Sequence, residues 1–338
     1  MSEEDLETSV PEEQIPDLDE LNDQEEWGVA RTYLKTLGPF SELFTGVSRT
    51  LVHCYEQENG KLSKVASGKL QRLFGSPSML SQLFFATKTY YPKEIEARQS
   101  IEGPDLIFFV NLYELSLFFC IGYTTRRLAK SLPAEEWKLL LDKMQIYCDL
   151  AYPLGNTIPI IGPSRAMMAA AGRFIGFGIF NLNKPKKFKR YRVDIKTKSE
   201  PYDLKQELEI FGTTHLHIAA LVWQKFGFGV RTCEEYVEGL LANNDDKISV
   251  GAQKFRVADA WLSALVEKKE LPSEDLGKDY EIQESLTDSL VSLLSDLITK
   301  GSPYSWLSKS RDDIGPEKTP DLTADYEALR KAAEIKKR

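Results

Sequence analysis

Four side chains in the second half of the chain have the types that hold a divalent cation: Glu207, Glu209, His215 and Asp259. Carboxylate oxygens and imidazole nitrogens are common donors to Mg, Mn, Fe or Zn, and a bound cation would activate water against a phosphoester. The spacing does not supply a ready-made cage. His215 and His217 are two apart on a predicted helix, about 200° around its axis, and cannot chelate one ion together. The remaining histidine, His53, has no carboxylate pattern beside it. As a general base His215 lacks an accompanying nucleophile. Its structural expectation is a hydrogen bond to a neighbouring helix through Glu207 or Glu209, locking a turn at Gly212.

Residues 184–198 carry a second kind of chemistry. Lys184, Lys186, Lys187, Lys189, Arg190, Arg192, Lys196 and Lys198 stand against one acid, Asp194, with Phe188 and Tyr191 interleaved. That mixture suits phosphate contacts with base stacking, or Arg and aromatic recognition of a cyclic dinucleotide. Val193 and Ile195 are the only aliphatics, so the stretch reads as an exposed loop or short hairpin. A solvated loop that partners the acidic N-terminal segment is the plainer expectation. The formal net charge of −8 argues against general nucleic-acid binding.

The elements that must position these residues follow a helical period from Trp27 onward. The first 26 residues hold twelve carboxylates and no Lys or Arg, so residues 1–27 are expected to form a disordered acidic tail with no signal peptide. The four scattered cysteines read as buried thiols of a reducing cytoplasm. The apolar run 106–123 is interrupted by Asn111, Glu114 and Ser116 and is shorter than the ~20 residues a bilayer needs; it predicts a core helix starting at Gly103-Pro104 and ending near Gly122. Ser76-Pro77 predicts a capped helix start. Pro153, Gly155, Pro159, Gly162 and Pro163 predict a loop. A small-residue helix follows over 165–180, then helices near 203–211, 214–226, 233–242 and 252–268. The glycines Gly172, Gly176 and Gly178 lack the order and preceding strand of a nucleotide loop and predict close helix packing. After residue 268 comes an extension whose segment 281–299 places Ile282, Leu286, Leu290, Leu293, Leu297 and Ile298 on one face. Exposing that stripe costs roughly 25 cal/mol per Å², so cover by the same chain is expected. A last, charged helix is predicted over 324–336. The expectation is an all-α, multi-helix bundle over 28–268 with a helical extension over 269–338.

The order of several motifs resembles the HDOD family, relatives of the HD-type phosphohydrolases. Leu73-Phe74-Gly75-Ser76-Pro77-Ser78-Met79-Leu80 is similar to its "I-x-x-D-P-x-L" opening, and Ser100-Ile101 to its "S-I-x-x-A" segment. Ala171-Gly172-Arg173-Phe174-Ile175-Gly176-Phe177-Gly178 resembles the "AGLLHDIG" helix. Residues 207–215 resemble "E-x-E-x-x-G-x-x-H", with Glu207, Glu209, Gly212 and His215 in place and Trp223 at the expected tryptophan. The resemblance spans roughly residues 40–265. It implies that Ile175 and Gly176 stand where the His-Asp metal pair belongs, that no histidine replaces the one expected between Trp137 and Leu150, and that Asn243-Asn244 aligns with a lost His-His pair. Asp259 alone fits the "A-D" of the metal site. The resemblance therefore implies a non-catalytic bacterial signal-transduction protein, with no metal, cofactor or membrane, that binds other signalling proteins. A degenerate HD phosphohydrolase using Asp259, Glu207, Glu209 and His215, and nucleic-acid or nucleotide binding through 184–198, are the alternatives.

Overall fold

A computed structural model describes residues 25–74, 76–97, 106–158, 160–241, 247–269 and 284–308, and every regular element among them is helical. Helices α1 (Glu25–Lys35), α2 (Glu42–Glu56), α3 (Lys64–Phe74), α4 (Pro77–Tyr90), α5 (Pro92–Glu96) and α6 (Leu106–Phe109) lead into the long pair α7 (Leu112–Ser131) and α8 (Ala134–Thr157). Then come α9 (Pro163–Asn183), α10 (Pro185–Lys198), α11 (Leu204–Phe211), α12 (His215–Lys225), α13 (Val230–Leu241) and α14 (Val250–Ser263), which ends in a π-helical turn, Ala264–Lys268. The last described helix is α15 (Glu284–Lys300). None of these is long and apolar enough to cross a membrane among the described residues.

Helix α9 is the axis of the bundle. Sixteen of its residues are buried, and α1, α7, α8, α10, α12 and α14 pack around it. Its small residues explain how so many neighbours fit. A Cβ at Gly172 would meet the Tyr236 hydroxyl and Ala219, and one at Gly178 would meet Leu128 and Trp137. Side-chain absence here trades roughly 1 kcal/mol of helix propensity per glycine for close contact with α12, α13, α7 and α8.

Several boundaries differ from the sequence expectation, each for an identifiable reason. Residues 184–198 form helix α10, neither loop nor hairpin. Its inner stripe is Phe188, Tyr191 and Ile195, at helical spacing and all buried; the aromatics do the work that scarce aliphatics could not. Pro153 lies inside α8 rather than in a loop, because packing on α9 and α15 offsets its missing donor, a penalty of about 3 kcal/mol. The single helix expected to end near Gly122 is broken at Val110 and Asn111: α6 stops at Phe109, and Asn111 Oδ1 accepts the Glu114 N–H at 2.8 Å and starts α7, which runs on to Ser131. Ser76 does precede the Pro77 start of α4, without a side-chain capping bond. The helix that begins at Glu25 takes the last residues assigned to the acidic tail, and Trp27 is buried against His217 with ring centroids 4.7 Å apart. The rest of that tail, Gly103-Pro104, Pro159, Ile282 and the segment 324–336 lie outside the described residues.

The C-terminal helix folds back on its own chain. Leu290, Leu294 and Leu297 turn inward onto α8 and the π-helical turn. Ile298, expected on that face, is half exposed; Leu294 takes the inner position, at i+4 from Leu290. Beyond α15, the Trp306 indole is buried and donates Nε1–H to the Tyr90 hydroxyl at 3.0 Å.

Candidate functional site

The chemistry-bearing residues fall into two buried clusters on either side of Tyr202. The first joins α10, α11 and α12 through Glu207. Its Oε2 accepts the His215 backbone N–H at 2.8 Å, and His215 Nδ1 lies 2.8 Å from the same oxygen. Glu207 Oε1 also accepts the Tyr191 hydroxyl at 2.5 Å. Asp203 caps α11 by accepting the Gln206 N–H, and Gly212 closes it at φ +76°, donating to the Leu208 carbonyl at 2.9 Å. Only glycine adopts that φ without strain. The motif residues Glu207, Gly212 and His215 thus form one turn between two helices. Glu209 points away and is exposed. Trp223 is fully buried and packs edge-on against Phe228 at 6.3 Å. His217 faces the other way, its Nδ1 2.8 Å from the Thr214 hydroxyl, and burial lowers its pKa to about 4.

The second cluster is the one that sequence reading missed. Arg173, on α9, is fully buried and donates Nη2 to Asp259 Oδ1 at 2.5 Å and to Ser263 Oγ at 2.8 Å, with Nη1 on the Tyr147 hydroxyl at 2.7 Å. The guanidinium lies between two rings, 4.8 Å from the Tyr147 centroid and 4.9 Å from that of Tyr202. Tyr202 donates to Asp259 Oδ2 at 2.8 Å, while Tyr147 donates to Glu267, itself paired with Lys143. Burial alone would lower the Arg173 pKa; Asp259, then Tyr147, Tyr202 and Glu267, outweigh it and hold the guanidinium firmly charged. Burial raises the Tyr147 and Tyr202 hydroxyls well above their ordinary range.

The four proposed ligands do not converge. Glu207 and His215 meet, and Asp259 meets Arg173 instead. The Tyr202 ring stands 4.9 Å from the His215 ring, with its hydroxyl on Asp259. Among the described residues no group of three or more His, Cys, Asp or Glu could hold a metal ion. Ile175 is buried and gives no donor, and a Cβ at Gly176 would stand 2.5 Å from His215 Cβ and 2.7 Å from its carbonyl oxygen. A carboxylate has no room at position 176. The signal that could have found the second cluster was Arg173 itself. An arginine in the middle of an apolar helix that lacks a polar face must be buried, and a buried guanidinium needs a carboxylate.

On α10 the cations separate from the aromatics. Lys186, Lys187, Lys189 and Arg190 are exposed, and Arg192 and Lys184 are half-buried. Lys184 Nζ lies 5.4 Å from the Tyr33 ring centroid. Phe188 and Tyr191 pack on Phe177, at 5.7 and 6.0 Å, so neither ring is available to stack on a base. Asn243-Asn244, Gly75 and Ser100-Ile101 lie outside the described residues.

No family model, curated protein or solved structure matches this chain.

Proposed function

We propose that the chain is a non-catalytic regulatory protein of the bacterial signal-transduction type, an HDOD-like helical bundle that acts in the cytoplasm by binding other signalling proteins. The observation that carries this reading is the Arg173–Asp259 pair at 2.5 Å. Asp259 is the one carboxylate that the family resemblance retains from an HD metal site, and a guanidinium already neutralises it. Charge balance therefore disfavours a divalent ion there. A scaffold of this kind keeps its shape and presents surface. The exposed cations of α10 (Lys186, Lys187, Lys189, Arg190) are the candidate contact face, suited to an acidic partner protein.

Two measurements on the purified full chain test the reading. Metal analysis paired with a phosphodiesterase assay is expected to give substoichiometric Mn, Fe and Mg and background turnover. Stoichiometric metal with turnover that Asp259→Asn abolishes overturns it in favour of a hydrolase. Affinity capture from the native host is expected to recover a signalling protein whose retention falls when Lys186, Lys187 and Arg190 are changed to Glu. Salt-sensitive retention of DNA or RNA by the same face, with no protein partner, overturns it in favour of nucleic-acid binding.

A further inference from the structure

A cleft of about 600 Å³ opens between α1, α2 and the end of α12, and none of its lining residues belongs to the clusters around Tyr202. Arg31, Lys35, Arg49 and Lys225 line it, with Glu42 as the one acid. Among the described residues, no carboxylate lies within 4.0 Å of any of the four cations. In a chain of net charge −8, four cations around one acid is a marked local excess. Lys35 and Lys225 stand in the last turns of their helices, where a cation complements the dipole without any ligand. Arg31 and Arg49 sit in mid-helix, so the dipole does not account for them.

The cleft is also built to hold its cations in place. Arg49 donates Nε–H to the Lys225 carbonyl at 3.1 Å, leaving both terminal nitrogens for another acceptor. Gly227, at φ +94°, lies directly against the Arg49 backbone and stem, where a Cβ would stand 2.6–2.7 Å away. The first turn of α2 borders the cleft through Glu42 and Thr45, and the Ser41 side chain makes no capping bond to it, so its free N–H groups add partial positive charge. The floor is apolar, from Leu34 and Leu221. Phe40 forms part of the wall, half-buried, braced edge-on by Phe226 at 5.8 Å and by the tilted ring of Tyr123 at 5.9 Å.

We infer that this cleft binds a phosphorylated small molecule that also carries a flat ring. A single carboxylate would neutralise one of four cations; a polyphosphate matches the excess and accepts the forked donors of two arginines. The apolar floor and the braced Phe40 ring suit a planar group, and the volume accommodates a nucleotide-sized ligand. This inference is independent of what α10 binds.

The test is titration calorimetry of the full chain with ATP and with inorganic tripolyphosphate, at two salt concentrations. ATP is expected to bind with Kd below about 100 µM, more weakly at higher salt. The double variant Arg49→Gln, Lys225→Gln is expected to weaken both probes about tenfold or more. Phe40→Ala is expected to weaken ATP several-fold and leave tripolyphosphate unchanged. Lys186→Gln with Arg190→Gln on α10 serves as the control and is expected to change neither. Thermal melting of each variant confirms folding. Absence of saturable ATP binding up to about 1 mM, an equal loss in the α10 control, or ATP and tripolyphosphate binding alike with Phe40→Ala silent would each overturn the inference.

Discussion

Arg173 and Asp259 form an ion pair inside the bundle, from α9 to α14, with the arginine side chain 2% exposed and the aspartate 9%. Desolvating two charges costs several kcal/mol, and removing one partner leaves the other uncompensated. Arg173→Leu is expected to destabilise the fold by about 3–5 kcal/mol, and Asp259→Leu by a similar amount. The double variant should lose much less than the sum. Urea unfolding of the three variants measures the coupling, and strict additivity would show that the pair carries none.

The glycines of α9 and those of the outer helices predict opposite signs. A Cβ at Gly176 meets the His215 backbone, whereas one at Gly46 or Gly28 meets nothing within 4 Å. Gly176→Ala is expected to cost about 1–3 kcal/mol through overpacking. Gly46→Ala and Gly28→Ala each gain up to about 1 kcal/mol from helix propensity. Melting temperatures should fall for the first and rise for the other two.

Two buried groups pull the pH dependence of stability in opposite directions. Burial raises Asp149 from 3.8 to about 6, against donors that include Ser302 and Gln145. The folded state then holds the proton more tightly, so this group removes stability as pH rises from about 4 to about 6. His217 is lowered by burial from 6.5 to about 4. There the unfolded state binds the proton first, so stability is lost as pH falls from about 6.5 to about 4. Relative to wild type, Asp149→Asn should gain stability between pH 4 and 6 as pH rises, and His217→Phe should gain as pH falls through about 6.5. Denaturant midpoints across pH 4–8 separate the two slopes. Parallel curves would contradict both.

The division of labour on α10 is testable by substitution. Phe188→Ala removes a buried ring from the contact with Phe177 and is expected to cost about 3–5 kcal/mol. Changing Lys186, Lys187 and Arg190 to Glu touches exposed positions and should alter stability by no more than about 0.5 kcal/mol per site. Binding to an acidic partner should respond in the reverse order, unaffected by Phe188→Ala at a temperature where the variant is folded.

The all-helical architecture was legible because its signal is repeated along the chain: apolar residues at helical spacing, proline at helix starts, glycine at the Gly212 turn. The Glu207–His215 contact was legible for a local reason, since both residues flank one turn and need no knowledge of the rest of the fold. Arg173 with Asp259 was not. Eighty-six positions separate them, and nothing in the spacing of α9 and α14 says that they cross at that level. Helix α10 does not read as a helix from composition because its inward stripe is two aromatics and one isoleucine among seven cations. Composition weighs the cations, while packing depends on which three residues share a face. The basic cleft is the clearest case of information held by geometry alone: Arg31, Arg49 and Lys225 come from three helices and share no motif.

Trp306 closes a ring stack assembled much earlier in the chain. Tyr90 and Tyr152 stack at 4.2 Å, Phe118 lies beside them, and the indole packs on Tyr90 and Phe118. Leu307 is clasped at the same place, its N–H on Gln145 and its carbonyl oxygen on Gln82. During synthesis the aromatic pile must therefore wait, wet on one side, until Trp306, 216 positions after Tyr90, has been made. A chain cut short before residue 306 is expected to leave Tyr90 and Phe118 uncovered on that side and to be cleaved faster in limited proteolysis.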